Sequence, residues 1–106
     1  MINEIAKEVF KIEANEIAQL SKQLTSDFES SIKAIISSKG KLIISGMGKS
    51  GIIAKKIAAT LASTGTPSFF LHPGEAYHGD LGMIEVKDIV LLISNSGETD
   101  EVLKLI

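Results

Sequence analysis

The 106-residue chain contains no cysteine, which excludes a disulfide framework or a thiolate metal site and makes a reducing, cytoplasmic setting the expectation. It has no arginine either. Its 11 basic residues are all lysine, set against 13 acidic ones for a net charge of −2 spread along the chain. Without a basic stripe, groove-tracking nucleic-acid binding is disfavoured, and any anion site must be built from lysine, hydroxyls or backbone amides. No apolar run approaches the roughly 18 residues needed to span a bilayer, and Glu4, Lys7 and Glu8 interrupt the N-terminus where a signal peptide needs an apolar block. Neither nucleic acid nor membrane is an expected partner. The residues that are present, 44% hydrophobic and 23% charged, suit one soluble domain.

Ile2, Ile5, Val9, Ile12, Ile17, Leu20, Leu24, Phe28, Ile32 and Ile35 recur mostly at three- and four-residue steps, the period of an amphipathic helix. Ser26 followed by Glu29 forms a capping box, so the pattern predicts two helices, over 3–24 and 27–38. Gly40 is expected to close the second as a left-handed residue. Leu42, Ile43 and Ile44, between Gly40 and Gly46, predict a strand buried on both faces. Ile53, Ile57, Ala58 and Leu61 predict a helix over 50–63 that Gly65 and Pro67 end. Ser68 to Leu71 reads as a second strand, residues 72–84 as a loop carrying both histidines, Ile89 to Ile93 as a third buried strand, and Glu98 onwards as another helix. This alternation implies an α/β fold, a parallel sheet with helices on both faces, because parallel neighbours need a crossover connection. Residues 1–40 are assigned to a two-helix arm and residues 41–106 to the sheet domain. The pattern stops at Ile106 inside a helix without a cap, and three strands are few, so the chain reads as the first half of a larger domain.

The turn after strand one, Gly46-Met47-Gly48-Lys49-Ser50-Gly51, opens directly into a helix and aims backbone N–H groups and a positive helix end above the strand. A Walker A loop would need glycine at position 43, where Ile43 stands. The spacing fits the Gly-x-Gly-x-x-Gly dinucleotide fingerprint, but Leu71, His72 and Pro73 occupy the place of its ribose-binding acid. A tight turn with purely steric glycines is the plain alternative. Strand three ends in Ser94-Asn95-Ser96-Gly97-Glu98-Thr99, three hydroxyls and an amide at a second helix start. In a parallel sheet both segments converge on one edge, where hydroxyls and amides suit a phosphate monoester without arginine.

These residues, with Ser63-Thr64-Gly65-Thr66-Pro67-Ser68-Phe69-Phe70 and the run from His72 to Met83, His72-Pro73-Gly74-Glu75-Ala76-Tyr77-His78-Gly79-Asp80-Leu81-Gly82-Met83, closely resemble the sugar isomerase (SIS) domain of bacterial D-arabinose-5-phosphate isomerases. The resemblance is strong over 41–106 and weak over the arm. It implies strand order 2-1-3 and interconversion of D-ribulose 5-phosphate and D-arabinose 5-phosphate, in the biosynthesis of the Kdo sugar of lipopolysaccharide and capsule. It assigns Lys49, His78 and Glu101 to catalysis, and Gly48, Ser50, Ser94, Asn95, Ser96 and Thr99 to the substrate phosphate. An enediol route needs a base for the carbon proton and donors for the developing oxyanion, and no metal or other cofactor. His72, Glu75, His78 and Asp80 fit no standard metal spacing, and His72 is read as structural. Members of the family continue with two more strands, a second catalytic glutamate and a second histidine. A non-catalytic sugar-phosphate-binding module is the alternative function, since it needs the hydroxyl cluster but no proton-transfer groups. The expected partners are a small sugar phosphate and further copies of the chain, because the apolar stripe and open sheet edge would otherwise be exposed.

Overall fold

The structure is a computed structural model that describes residues 1–77 and 79–96. Residues 1–34 and residues 35–106 form two compact units. In the first, α1 (Ile2–Leu20) is followed by the start of α2 (Ser26–Ser37), and neither helix has a buried residue. The apolar stripe is laid along helices as its period requires, yet Ile2, Ile5, Val9, Ile12, Phe28 and Ile32 are exposed in the isolated chain. The first helix ends earlier than expected. Its last turn tightens, with the Ser21, Lys22 and Gln23 N–H groups donating three residues back, and the Ser21 hydroxyl donates to the Ala18 carbonyl at 2.9 Å. Serine near a helix end draws carbonyls into such local bonds. The cap of α2 also falls one residue before the expected Ser26, because Thr25 Oγ1 accepts the Asp27 N–H at 3.2 Å.

The second unit is built on β1 (Leu42–Gly46), whose five residues are all buried. Parallel strands flank it on both sides, β2 (Ser68–Phe70) and β3 (Ile89–Ile93), in the order β2-β1-β3. Side-chain alternation along β1 divides the core. Leu42 and Ile44 face Ala54 and Ala58 of α3 (Gly48–Ser63), while Ile43 faces Leu71 and Ala76. Ile43 and Ile44 have no exposed surface, each contributing about 1.5–3 kcal/mol by burial. Strand β3 matches its expected span but is not a buried strand: Val90 and Leu91 are 40% and 38% exposed, because β3 pairs on one side with β1 in the described sheet. The buried stripe of α3 is Gly51, Ala54 and Ala58, with Ile53 exposed. The helix starts so close to β1 that only small side chains fit between them.

Residues 72–84 are not a plain loop. They hold a short helix, α4 (Pro73–Tyr77), and a 3₁₀ turn at Asp80–Met83. His72 caps α4, its Nδ1 accepting the Gly74 N–H at 3.0 Å, and Pro73 fills the first helical position, where a missing N–H costs nothing. Ala76 of this turn is fully buried.

At the amino end of the sheet, Asp88 joins β3 to β1. Its carboxylate accepts the Lys41 N–H at 2.7 Å and the Glu85 N–H at 2.8 Å. These two backbone donors, Glu85 first, hold its pKa below the ordinary carboxylate value, helped by the charges of Lys41 and Lys87. Gly40 is not left-handed here. Its lack of a side chain matters because a Cβ would stand 2.4 Å from the Lys87 carbonyl oxygen.

Candidate functional site

Gly46 and Ile93 are register partners at the carboxyl ends of β1 and β3. The turn after Gly46 and the hydroxyl run after Ile93 therefore leave the sheet side by side. Between them lies an open cavity of about 360 Å³ lined by Met47, Lys49, Ser50, Ile93, Ser94, Asn95 and Ser96. That volume falls in the range of about 300–1,000 Å³ common for small-molecule sites.

The glycines shape this turn for two separate reasons. Gly48 has a φ of +58°, which side-chain-bearing residues rarely adopt. Gly51 packs against β1 so tightly that a Cβ would meet the Gly46 carbonyl oxygen at 2.5 Å. Together they start α3 within one short turn of the strand. Met47 stands at the N-cap in an extended conformation and supplies no side-chain cap, and the first turn carries no acid. The helix end therefore keeps its partial positive charge and amide donors toward the cavity, an arrangement suited to an anion. Lys49, exposed in the same turn, adds a full charge.

Of the nine residues expected in the site, Lys49, Ser50, Ser94, Asn95 and Ser96 line the cavity, and Gly48 shapes its rim. His78, Thr99 and Glu101 lie outside the described residues, as does the helix expected from Glu98. His72, read as structural, is the cap of α4. The cavity walls also include Met47 and Ile93, for which the sequence carries no site expectation. The signal for them is positional: each is adjacent to, or at, the end of a strand of the sheet. Among the described residues, no group of three histidine, aspartate or glutamate side chains is placed to hold a metal ion, and no helix is long and apolar enough to cross a membrane.

A family model described as the SIS domain matches residues 35–106. Arabinose 5-phosphate isomerase KdsD of Yersinia pestis is 59% identical over 100 residues, which are 94% of this chain and 30% of that protein. The chain thus spans about 30% of the length of the curated relatives it matches. Among solved structures, a crystal structure from Bacteroides fragilis has a TM-score of 0.90 at 47% identity, covering 99% of this chain and 56% of that one. An Escherichia coli CFT073 protein in complex with arabinose 5-phosphate has a TM-score of 0.78 at 48% identity, covering 96% of this chain and 56% of that one. The parallel sheet and its helices are common ground with these neighbours.

Proposed function

Because the chain belongs to the SIS domain family through residues 35–106, we propose that the natural protein interconverts D-arabinose 5-phosphate and D-ribulose 5-phosphate, for Kdo biosynthesis in the cytoplasm. The observation that carries this reading is the cavity in which Lys49 and Ser50, at an uncapped helix start, meet Ser94, Asn95 and Ser96. The names of the relatives support the substrate: several are called arabinose 5-phosphate isomerases, and one similar structure holds arabinose 5-phosphate. Residues 41–106 then supply the first half of the sugar-phosphate site, and residues 1–40 the arm. The exposed apolar stripe of that arm supports a homo-oligomer.

In this reading Ser50, Ser94, Asn95, Ser96 and Thr99, with the Gly48 turn, hold the phosphate through hydroxyls and amides. The isomerisation removes the C2 proton of the aldose, passes through an enediol, and returns a proton to C1 while the hydroxyl proton moves from O2 to O1. Glu101 and His78 are the proton-transfer groups, and Lys49 stabilises the negative charge that develops on the oxygens. No cofactor takes part. An isomerase assay on the natural protein, run in both directions and paired with calorimetric titration of arabinose 5-phosphate, tests the proposal. Binding with turnover supports it. Binding without turnover identifies a non-catalytic sugar-phosphate module, and no binding overturns both.

A further inference from the structure

Ser45 carries a completely buried hydroxyl, with Ile43 and Ile44 before it in the core strand. Burying a hydroxyl in such surroundings is unfavourable unless it finds a partner, and here it donates to the Leu71 carbonyl. The Leu71 N–H, for its part, donates to the Ile44 carbonyl at 2.9 Å. Both backbone polar groups of Leu71 are therefore held by two successive residues of β1, at the point where the chain leaves the sheet.

The segment beyond Leu71 hangs from that point. Alternation along β1 puts Ser45 on the face of Ile43, the face that Leu71 and Ala76 cover. His72 caps the next turn through Nδ1, and its carbonyl accepts the Ala76 N–H at 2.9 Å. Pro73 fixes its own φ. On the other side of Ser45 comes Gly46, where a Cβ would stand 2.9 Å from the Ile93 carbonyl oxygen and 3.1 Å from the Ser50 backbone. The backbone next to Ser45 is thus closely packed against Ile93 and Ser50, two residues of the cavity lining.

We propose that Ser45 is a positioning residue for the isomerisation: by holding the Leu71 carbonyl, its hydroxyl fixes the His72–Tyr77 turn relative to the Gly46–Gly51 turn that carries Lys49. This rests on the isomerase reading given above. Packing alone would be served as well by alanine at this position; the hydroxyl adds direction. Ser45 is fully buried and does not line the cavity, so its effect appears in turnover rather than in phosphate binding.

The test compares Ser45→Ala with Ser45→Thr in the natural full-length protein, reading kcat and KM for arabinose 5-phosphate and amide hydrogen exchange at Gly74 and Ala76. In Ser45→Ala kcat falls on the order of 10- to 100-fold, the scale of a misplaced reacting group, with KM within about twofold of wild type. Exchange at Ala76 accelerates. Ser45→Thr, which keeps the hydroxyl, restores both. A Ser45→Ala protein with wild-type kcat and exchange overturns the proposal, as does a loss confined to KM or a folded Ser45→Thr variant that loses turnover equally. Should Ser45→Ala fail to fold, Ser45→Cys, with its weaker donor, takes its place under the same criteria. If the unmodified protein shows no turnover, the isomerase reading fails; the exchange contrast then decides the positioning role, and equal exchange in the variants and wild type overturns it.

Discussion

The α-carbon of Gly51 approaches the carbonyl of Gly46 so closely that a methyl group on it would stand 2.5 Å from that oxygen. This contact sets how near α3 comes to β1 and therefore where the helix end opens into the cavity. Gly51→Ala forces the helix outward and is expected to cost about 1–3 kcal/mol of stability, as overpacking of a tight core does, and to weaken binding of arabinose 5-phosphate. Gly65→Ala is the contrast. Gly65 has a φ of +103°, but a methyl group there would meet nothing within 4 Å, so its replacement strains the backbone and leaves ligand affinity unchanged. Urea denaturation and calorimetric titration of both variants separate the two effects.

Asp88 makes stability dependent on acid. Its carboxylate is held below the usual pKa chiefly by the Glu85 and Lys41 N–H groups, so its stabilisation is fully present above the unfolded-state value of about 3.9 and is lost as pH falls through the lower folded-state value. Asp88→Asn replaces one acceptor by a donor that faces an N–H. The variant is expected to be less stable at neutral pH and to show a shallower loss between about pH 5 and 2. Denaturant midpoints measured across that range check it; parallel acid limbs for the two proteins contradict the assignment.

Ser94 and Ser96 line the cavity beside the α3 start, and in the proposed function they bond the phosphate. Replacing both by alanine in the natural protein is expected to weaken substrate binding by about 1–3 kcal/mol for the lost hydrogen bonds. Unchanged Michaelis constants would remove these serines from the phosphate site.

Lys49 is exposed in the first turn of α3, between Gly48 and Gly51. Lys49→Ala is therefore expected to keep the melting temperature while cutting turnover on the order of 100-fold or more, if the ammonium acts on charge in the transition state. An early-melting variant assigns the residue to folding instead, and full turnover assigns it to neither role.

The elements that position the cavity are legible in the sequence because each has a strong local signature. Ile89 to Ile93 is a short apolar run with turn residues around it, and the Gly46 to Gly51 run marks both the end of β1 and the start of α3. The stretch 72–84 reads as a loop because α4 spans five residues, too few for a helical period to emerge. Its cap is a histidine, a residue type that carries no capping expectation. Nothing local marks Asp88, because its partners are backbone N–H groups, one of them 47 positions away in the chain. Periodicity puts Ile53 in the core, yet the close approach of α3 to β1 reserves that face for Gly51, Ala54 and Ala58. Tertiary distance outweighs side-chain size there. Of the expected site residues, those that leave β1 and β3 are brought together because Gly46 and Ile93 are register partners.

The order β2-β1-β3 also sets a timetable for folding. The central strand is the first of the three to leave the ribosome, but its neighbour β3 is anchored to it through Lys41 and Asp88, 47 residues apart. At about 5–20 residues per second, synthesis of that interval takes roughly 2–10 s. Throughout it Leu42, Ile43 and Ile44 have no completed sheet to join, and the long loop that must close makes the pairing intrinsically slow. The same central placement that brings two segments together at one edge leaves β1 without its second flanking strand until β3 has emerged.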